Sequence, residues 1–107
     1  MKVSRNVSIT GSTFYQNATA IIKQLQHQYG LPLILKREPE NKYDKNAVGV
    51  YFGQRQLGYI PRGIAAELAP LIDAGTVVAA VRARTALEGV LLLTWDDGKP
   101  EPVPEAT

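Results

Sequence analysis

A mainly β fold with two helices, a small six-stranded antiparallel barrel or curled sheet in the order βαβββαββ, is predicted by three observations. Six short segments read as strands, only two carry helical spacing, and no βα unit repeats, which argues against a doubly wound sheet. Gly49, Gly53 and Gly58 fall within or beside strands, where a missing Cβ permits tight bends or the close approach of another backbone that barrel closure requires. Finally, 107 residues with 45% hydrophobic and 21% charged content can build one core but not two.

The elements follow in order. Val3, Val7 and Ile9, separated by polar residues, predict an opening strand that ends at Gly11-Ser12-Thr13, followed by a short turn holding Phe14 and Tyr15. Asn17 is placed to cap a helix whose apolar positions Ala18, Ile21, Ile22 and Leu25 follow helical spacing, with Gly30 as its stop. Leu31, Leu33 and Leu35 alternate as a second strand, and Val48, Val50 and Phe52 as a third. Gly53-Gln54 then turns the chain into a fourth strand, Gln56 to Ile60, ended by Pro61. Arg62 to Ala74 predicts a second helix with Ile64, Leu68, Leu71 and Ile72 inward. Pro70 should kink or split it, and Gly75 should end it. Thr76 to Arg84 and Glu88 to Trp95, linked through Ala86-Leu87, complete the set.

Between the second and third strands lies Arg37-Glu38-Pro39-Glu40-Asn41-Lys42-Tyr43-Asp44-Lys45-Asn46-Ala47, a polar loop longer than a hairpin needs. Its content predicts a defined shape held by Asx-type hydrogen bonds from Asn41, Asp44 or Asn46. A rigid frame on both sides makes it a candidate recognition loop.

Charge points the same way. Residues 1–95 carry eleven basic and six acidic side chains, whereas Asp96, Asp97, Glu101 and Glu105 crowd the last twelve residues with only Lys99 to offset them. A basic body suits a polyanionic partner. The chain is therefore divided into a domain over 1–95 and an acidic, proline-rich tail over 96–107, expected to be disordered. No apolar run approaches 18 residues and no apolar segment follows the first basic residues, so a cytoplasmic protein without membrane contact is the expectation.

Catalysis is not expected. With no cysteine, disulfides and thiolate chemistry are excluded. Glu38, Glu40 and Asp44, with Lys36 and Lys45, have the residue types of a metal-dependent nuclease, but their spacing fits no nuclease motif. Asp44-x-Asn46 lacks the later glycine and glutamate of a calcium loop. His27, the single histidine, reads as a surface residue of the first helix, and no Gly-rich phosphate loop opens a helix. No cofactor is implied.

The pattern Leu33-x-Leu35-x-Arg37-Glu38-Pro39-x-Asn41-x-Tyr43-Asp44-x-Asn46-Ala47-Val48-x-Val50, then Leu57-Gly58-Tyr59-Ile60-Pro61 and Leu68-Ala69, resembles the HIRAN domain, over about Val7 to Leu93. The resemblance implies an OB-like barrel and a module that holds single-stranded DNA at a free 3′ end, in company with helicases or nucleases that act in DNA repair or at replication forks. It implies that Asp44 accepts from the terminal hydroxyl, that Phe14, Tyr15 and Tyr43 supply aromatic contacts, and that Asn41, Tyr59 and Arg62 supply polar and basic ones. Two positions depart from the DNA-binding eukaryotic members: Thr13 stands where they carry a basic residue, and Glu40 adds a negative charge to the loop. The competing reading is a protein-interaction adaptor that recruits a helicase or nuclease without touching DNA.

Overall fold

The computed structural model describes residues 1–15, 17–25, 31–85 and 88–100, with the side chain of Phe14 excepted. The expected stop of the first helix at Gly30, the position of His27, the Ala86-Leu87 link and residues 101–107 of the acidic tail lie outside them.

Six strands form one antiparallel sheet: β1 (Lys2–Ser8), β2 (Pro32–Arg37), β3 (Val48–Phe52), β4 (Arg55–Tyr59), β5 (Ala79–Arg82) and β6 (Val90–Asp96), in spatial order β1-β6-β5-β2-β3-β4. Helices α1 (Ala18–Leu25) and α2 (Arg62–Asp73) sit in the two long connections. β1 runs against β6 from Lys2 opposite Asp96 to Ser8 opposite Val90. Beyond β1 the chain reaches the far edge of the sheet, where Thr10 and Tyr59 exchange two backbone hydrogen bonds of 2.9 Å. That bridge joins the outer strands and closes the barrel, removing part of the edge that an open sheet would expose.

Gly58 makes the closure possible. A Cβ at this position would lie 2.3 Å from the Thr10 carbonyl oxygen, and its φ of +151° is one that L side chains rarely adopt. Close backbone approach, anticipated for the strand glycines, is therefore realised at Gly58.

The alternation of the strands explains the core. Val7, Leu33, Val48, Val50, Leu57, Leu91, Leu93 and Trp95 are buried, and Ala18, Ile22 and Leu25 of α1 with Ala65 and Leu68 of α2 complete the same cluster. Among the described residues no helix is long and apolar enough to cross a membrane.

Two expectations are adjusted. The strand expected over Thr76 to Arg84 is paired only at Ala79–Arg82. Its first residue belongs to the end of α2: Thr76 N–H bonds Leu71 O at 2.9 Å and Gly75 N–H bonds Ile72 O at 3.0 Å around a left-handed Gly75, a Schellman cap that removes Thr76 from pairing. Val77 is consequently exposed. Pro70 does not split α2, which continues through it to Asp73. The carbonyl it cannot serve belongs to Ala66, which is exposed like Pro70 itself, so water can satisfy that oxygen. Asn17 does stand at the start of α1, its carbonyl accepting from Ile21 N–H at 3.0 Å, with a left-handed φ of 65°.

Strand β6 extends through Asp96, and Asp97 N–H bonds Met1 O at 3.1 Å.

Candidate nucleic-acid interface

Tyr15, Asn41, Tyr43, Asp44, Tyr59 and Arg62 converge on one groove of about 640 Å³, with Thr10, Gly11, Ala47 and Ile60 as its remaining walls. Three separate stretches of chain supply it: the turn before α1, the β2–β3 loop, and the end of β4 with the start of α2. The Thr10–Tyr59 bridge that closes the barrel brings the first and third together. Phe14 belongs to the 3-10 turn Ser12–Phe14 beside the groove; its side chain lies outside the described residues.

The β2–β3 loop holds its shape through its own side chains. Asn41 Oδ1 accepts from the N–H groups of Tyr43 (2.9 Å) and Asp44 (3.1 Å), and Asp44 Oδ1 accepts from Asn46 N–H at 2.9 Å. These are the Asx-type bonds the loop composition foretold, made by Asn41 and Asp44. Backbone bonds from Glu38 N–H to Ala47 O and from Ala47 N–H to Asp44 O, each 3.0 Å, close the base.

The loop is also clamped to α2. Arg37 donates from Nε and Nη2 to the two carboxylate oxygens of Asp73, at 3.0 and 3.1 Å, and from Nη1 to Ala47 O at 2.9 Å. The guanidinium holds the Asp73 carboxyl below its ordinary range, chiefly by hydrogen bonding.

Individual roles differ from the simplest expectation in one respect. Asn41 is expected to supply a polar contact to DNA, but its Nδ2 donates to Glu38 Oε1 at 3.1 Å and approaches the Tyr59 hydroxyl at 3.4 Å. These two acceptors are themselves 2.8 Å apart, so they lie to one side of the amide and share one of its two N–H donors. Asn41 therefore shapes the loop. Tyr59 likewise donates its hydroxyl proton to Glu38 Oε1 at 2.8 Å, so its ring is the part left for the groove.

Tyr43, in contrast, projects from the loop with 83% of its surface accessible. A large ring is thus carried on a braced backbone and left uncovered. Arg62 is also largely exposed; its Nη2 donates to Tyr43 O at 2.7 Å and its Nε stands 3.5 Å from Asp44 Oδ2. A guanidinium has five N–H donors, so several remain directed at solvent.

The floor is aromatic. The Tyr15 and Tyr59 ring centroids are 6.1 Å apart with planes tilted by 56°. The Tyr15 hydroxyl is pushed well above the usual range, first by burial, then by hydrogen bonding to Tyr59 and the neighbouring Glu38 charge. Tyr15 therefore stays neutral through physiological pH and adds no charge against a polyanion.

Glu38 is the residue whose role here sequence reasoning missed. It accepts from Tyr59, Asn41 and, at 3.5 Å, Gln56 Nε2. Nothing in residue order shows that β4 lies beside it, although the glycine at 49 is a trace: a Cβ there would stand 2.8 Å from Glu38 Oε2. Among the described residues no group of three or more His, Cys, Asp or Glu side chains converges as a metal site would need.

The HIRAN domain family model matches residues 2–89. This chain is a member of the HIRAN domain family. A Fanconi-associated nuclease 1 homolog from Oryza sativa subsp. japonica is 35% identical over 69 residues, covering 61% of this chain and 6% of that protein. A putative SWI/SNF-related matrix-associated actin-dependent regulator of chromatin, subfamily A member 3-like 1, from Arabidopsis thaliana is 51% identical over 45 residues, covering 41% of this chain and 5% of that protein. The HIRAN chain thus spans only a small fraction of the curated relatives it matches. Among solved structures, a Lactobacillus plantarum protein superposes with a TM-score of 0.71 at 25% identity, covering 89% of this chain and 97% of the other. The HIRAN domain of human HLTF superposes with a TM-score of 0.67 at 24% identity, covering 88% of this chain and 78% of that one. These likenesses match the six-stranded antiparallel barrel with two helices described above.

Proposed function

We propose that this HIRAN domain is a non-catalytic recognition module that binds single-stranded DNA and selects a free 3′ end, working beside helicases or nucleases in DNA repair or at replication forks. The observation that carries this reading is the convergence of Tyr15, Tyr43, Asp44, Tyr59 and Arg62 on one groove. The relatives named as a nuclease homolog and a chromatin regulator support the DNA-related setting.

Each group has a chemical task. A terminal 3′ hydroxyl is a hydrogen-bond donor that an internal nucleotide lacks, so a fixed carboxylate tells an end from the middle of a strand. Asp44 is so fixed: Oδ1 is anchored by Asn46 N–H, and Oδ2 faces Arg62 beyond ordinary hydrogen-bond length. Tyr43 offers its ring to an unpaired base, and the Tyr15–Tyr59 floor offers a second aromatic surface. The spare donors of Arg62 suit a phosphate oxygen. Phe14, beside the groove, is assigned a further aromatic contact, and Asn41 is assigned to hold the loop.

The test is fluorescence anisotropy with matched single strands ending in a free 3′ hydroxyl, in a 3′ phosphate, or in duplex, at two salt concentrations. Tightest binding to the free hydroxyl, weakened by salt and made end-indifferent by Asp44→Ala, is the expected result. Equal binding to all three would reduce the function to general single-strand binding. No binding at low salt would overturn DNA recognition in favour of the adaptor.

A further inference from the structure

The side chain at the centre of the polar network faces Tyr59, Asn41 and Gln56 rather than the groove. Glu38 Oε1 accepts from the Tyr59 hydroxyl (2.8 Å) and from Asn41 Nδ2 (3.1 Å), while Oε2 takes a long bond from Gln56 Nε2 (3.5 Å). Gln56 Oε1 in turn accepts from the Tyr51 hydroxyl at 3.1 Å. On the other side of Asn41, its Oδ1 receives the N–H groups of Tyr43 and Asp44. One carboxylate therefore links the aromatic floor on β4 to the loop that carries the exposed ring and the acceptor. The space for it exists because residue 49 is glycine: a Cβ there would come within 2.8 Å of Glu38 Oε2 and 2.9 Å of Tyr51 Cε1.

From this geometry we infer that Glu38 is the positioning residue of the groove, acting through Asn41 and Tyr59 to hold the Tyr43–Asp44 segment at a set height above the Tyr15–Tyr59 floor. It acts as a hydrogen-bond acceptor, with its charge incidental to the task. The relevance of that positioning to DNA rests on the function proposed above, whereas the positioning itself does not.

The chemistry distinguishes the two roles of a glutamate. In Glu38→Gln, one oxygen can still accept from Tyr59 and Asn41, and the new N–H₂ can face Gln56 if that amide turns over, which the Tyr51 hydroxyl accommodates by accepting and which gives up only the long 3.4 Å bond from Gln56 Nε2 to Gly58 O. In Glu38→Ala, the Tyr59 hydroxyl and the Asn41 amide lose their shared acceptor. Gly49→Ala attacks the same point by crowding Glu38, without replacing any of the network's own side chains.

The experiment has two arms. Amide hydrogen exchange by NMR reads the Tyr43 and Asp44 N–H groups held by Asn41; fluorescence anisotropy reads the preference for a free 3′ hydroxyl over a 3′ phosphate. Circular dichroism verifies folding, and Gly49→Ala and Tyr59→Phe serve if Glu38→Ala does not fold. Glu38→Ala, or Gly49→Ala in its place, is expected to speed exchange at both amides by about tenfold or more, the factor that corresponds to losing one acceptor. It should also remove the end preference, and Glu38→Gln should retain both properties. Wild-type exchange rates in the alanine variants, or a glutamine variant that fails like alanine, would overturn the positioning role. A wild-type protein indifferent to the 3′ end would sink end recognition instead, and the exchange rates would still decide the role of Glu38.

Discussion

Arg62 Nε stands 3.5 Å from Asp44 Oδ2, so the cation assigned to phosphate and the carboxylate assigned to the terminal hydroxyl face each other across the rim of the groove in the unbound protein. With Arg62 76% exposed and Asp44 20%, the pair adds little to stability, within about 1 kcal/mol. Its consequence is for binding. A carboxylate beside a polyanion is repulsive unless a cation neutralises it.

Arg62→Ala is therefore expected to weaken oligonucleotide binding beyond the loss of one phosphate contact, because it leaves Asp44 uncompensated. Removing both charges, in Arg62→Ala with Asp44→Asn, should recover part of the affinity for a strand with a blocked 3′ end. A double-mutant cycle by anisotropy measures this, and a coupling of about 0.5 kcal/mol or more is predicted. Strict additivity would mean the two side chains act independently.

Tyr43→Ala separates recognition from folding. The ring is 83% exposed, so thermal stability should move by no more than about 0.5 kcal/mol. Affinity for single strands should fall by about 1 to 3 kcal/mol, the worth of stacking on one base. Tyr43→Phe should restore the binding, since a ring and not a hydroxyl is required. Calorimetric melting beside anisotropy reads both quantities.

Gly58→Ala attacks barrel closure. Its Cβ would come 2.3 Å from Thr10 O, and neither that carbonyl nor Tyr59 can retreat without breaking the two bonds that join the sheet edges. Overpacking of this kind costs about 1 to 3 kcal/mol or more, so a clear fall in denaturant midpoint is expected. Gly53→Ala is the control for backbone strain alone, because nothing lies near a Cβ there; its positive φ should cost about 1 kcal/mol, and Gly58→Ala should lose more.

Stability should also decline at both ends of the pH scale for identifiable reasons. The folded Tyr15 holds its proton more tightly than the unfolded chain does, because of burial and the hydrogen bond to Tyr59. Its contribution is complete below the ordinary tyrosine value of 10.0 and is lost as pH rises past it toward the higher folded value. Asp73 has the opposite sign. Its lowered pKa contributes stability above 3.8 that is lost as pH falls through the folded value, and Arg37→Ala should return its titration to the ordinary range. Melting temperatures from pH 8 to 11 in wild type and Tyr15→Phe, and an NMR titration of Asp73, check the two halves.

Much of the groove was legible in residue order because its pieces obey local rules. Asn41 and Asp44 make Asx bonds to N–H groups two or three residues away, so their bracing of the loop needs no knowledge of the fold. Gly75 caps α2 by the same logic. Thr76 shows where local reading stops: a valine-rich run looks like a strand, yet its first residue is held by the helix cap, and no sequence window shows which bond prevails.

Length, composition and alternation determined a single-core antiparallel β domain with two helices, and the order of polar residues determined a braced recognition loop. Only the tertiary structure decided that Thr10 meets Tyr59, that Tyr15 and Tyr59 become one floor, that Glu38 ties β4 to the loop, and that Tyr43 stays uncovered while Asn41 turns inward. The reason is physical: bonds between near neighbours depend on backbone geometry that residue type already restricts. Contacts between residues about fifty positions apart, such as Thr10 and Tyr59, exist only once the barrel has closed around its core.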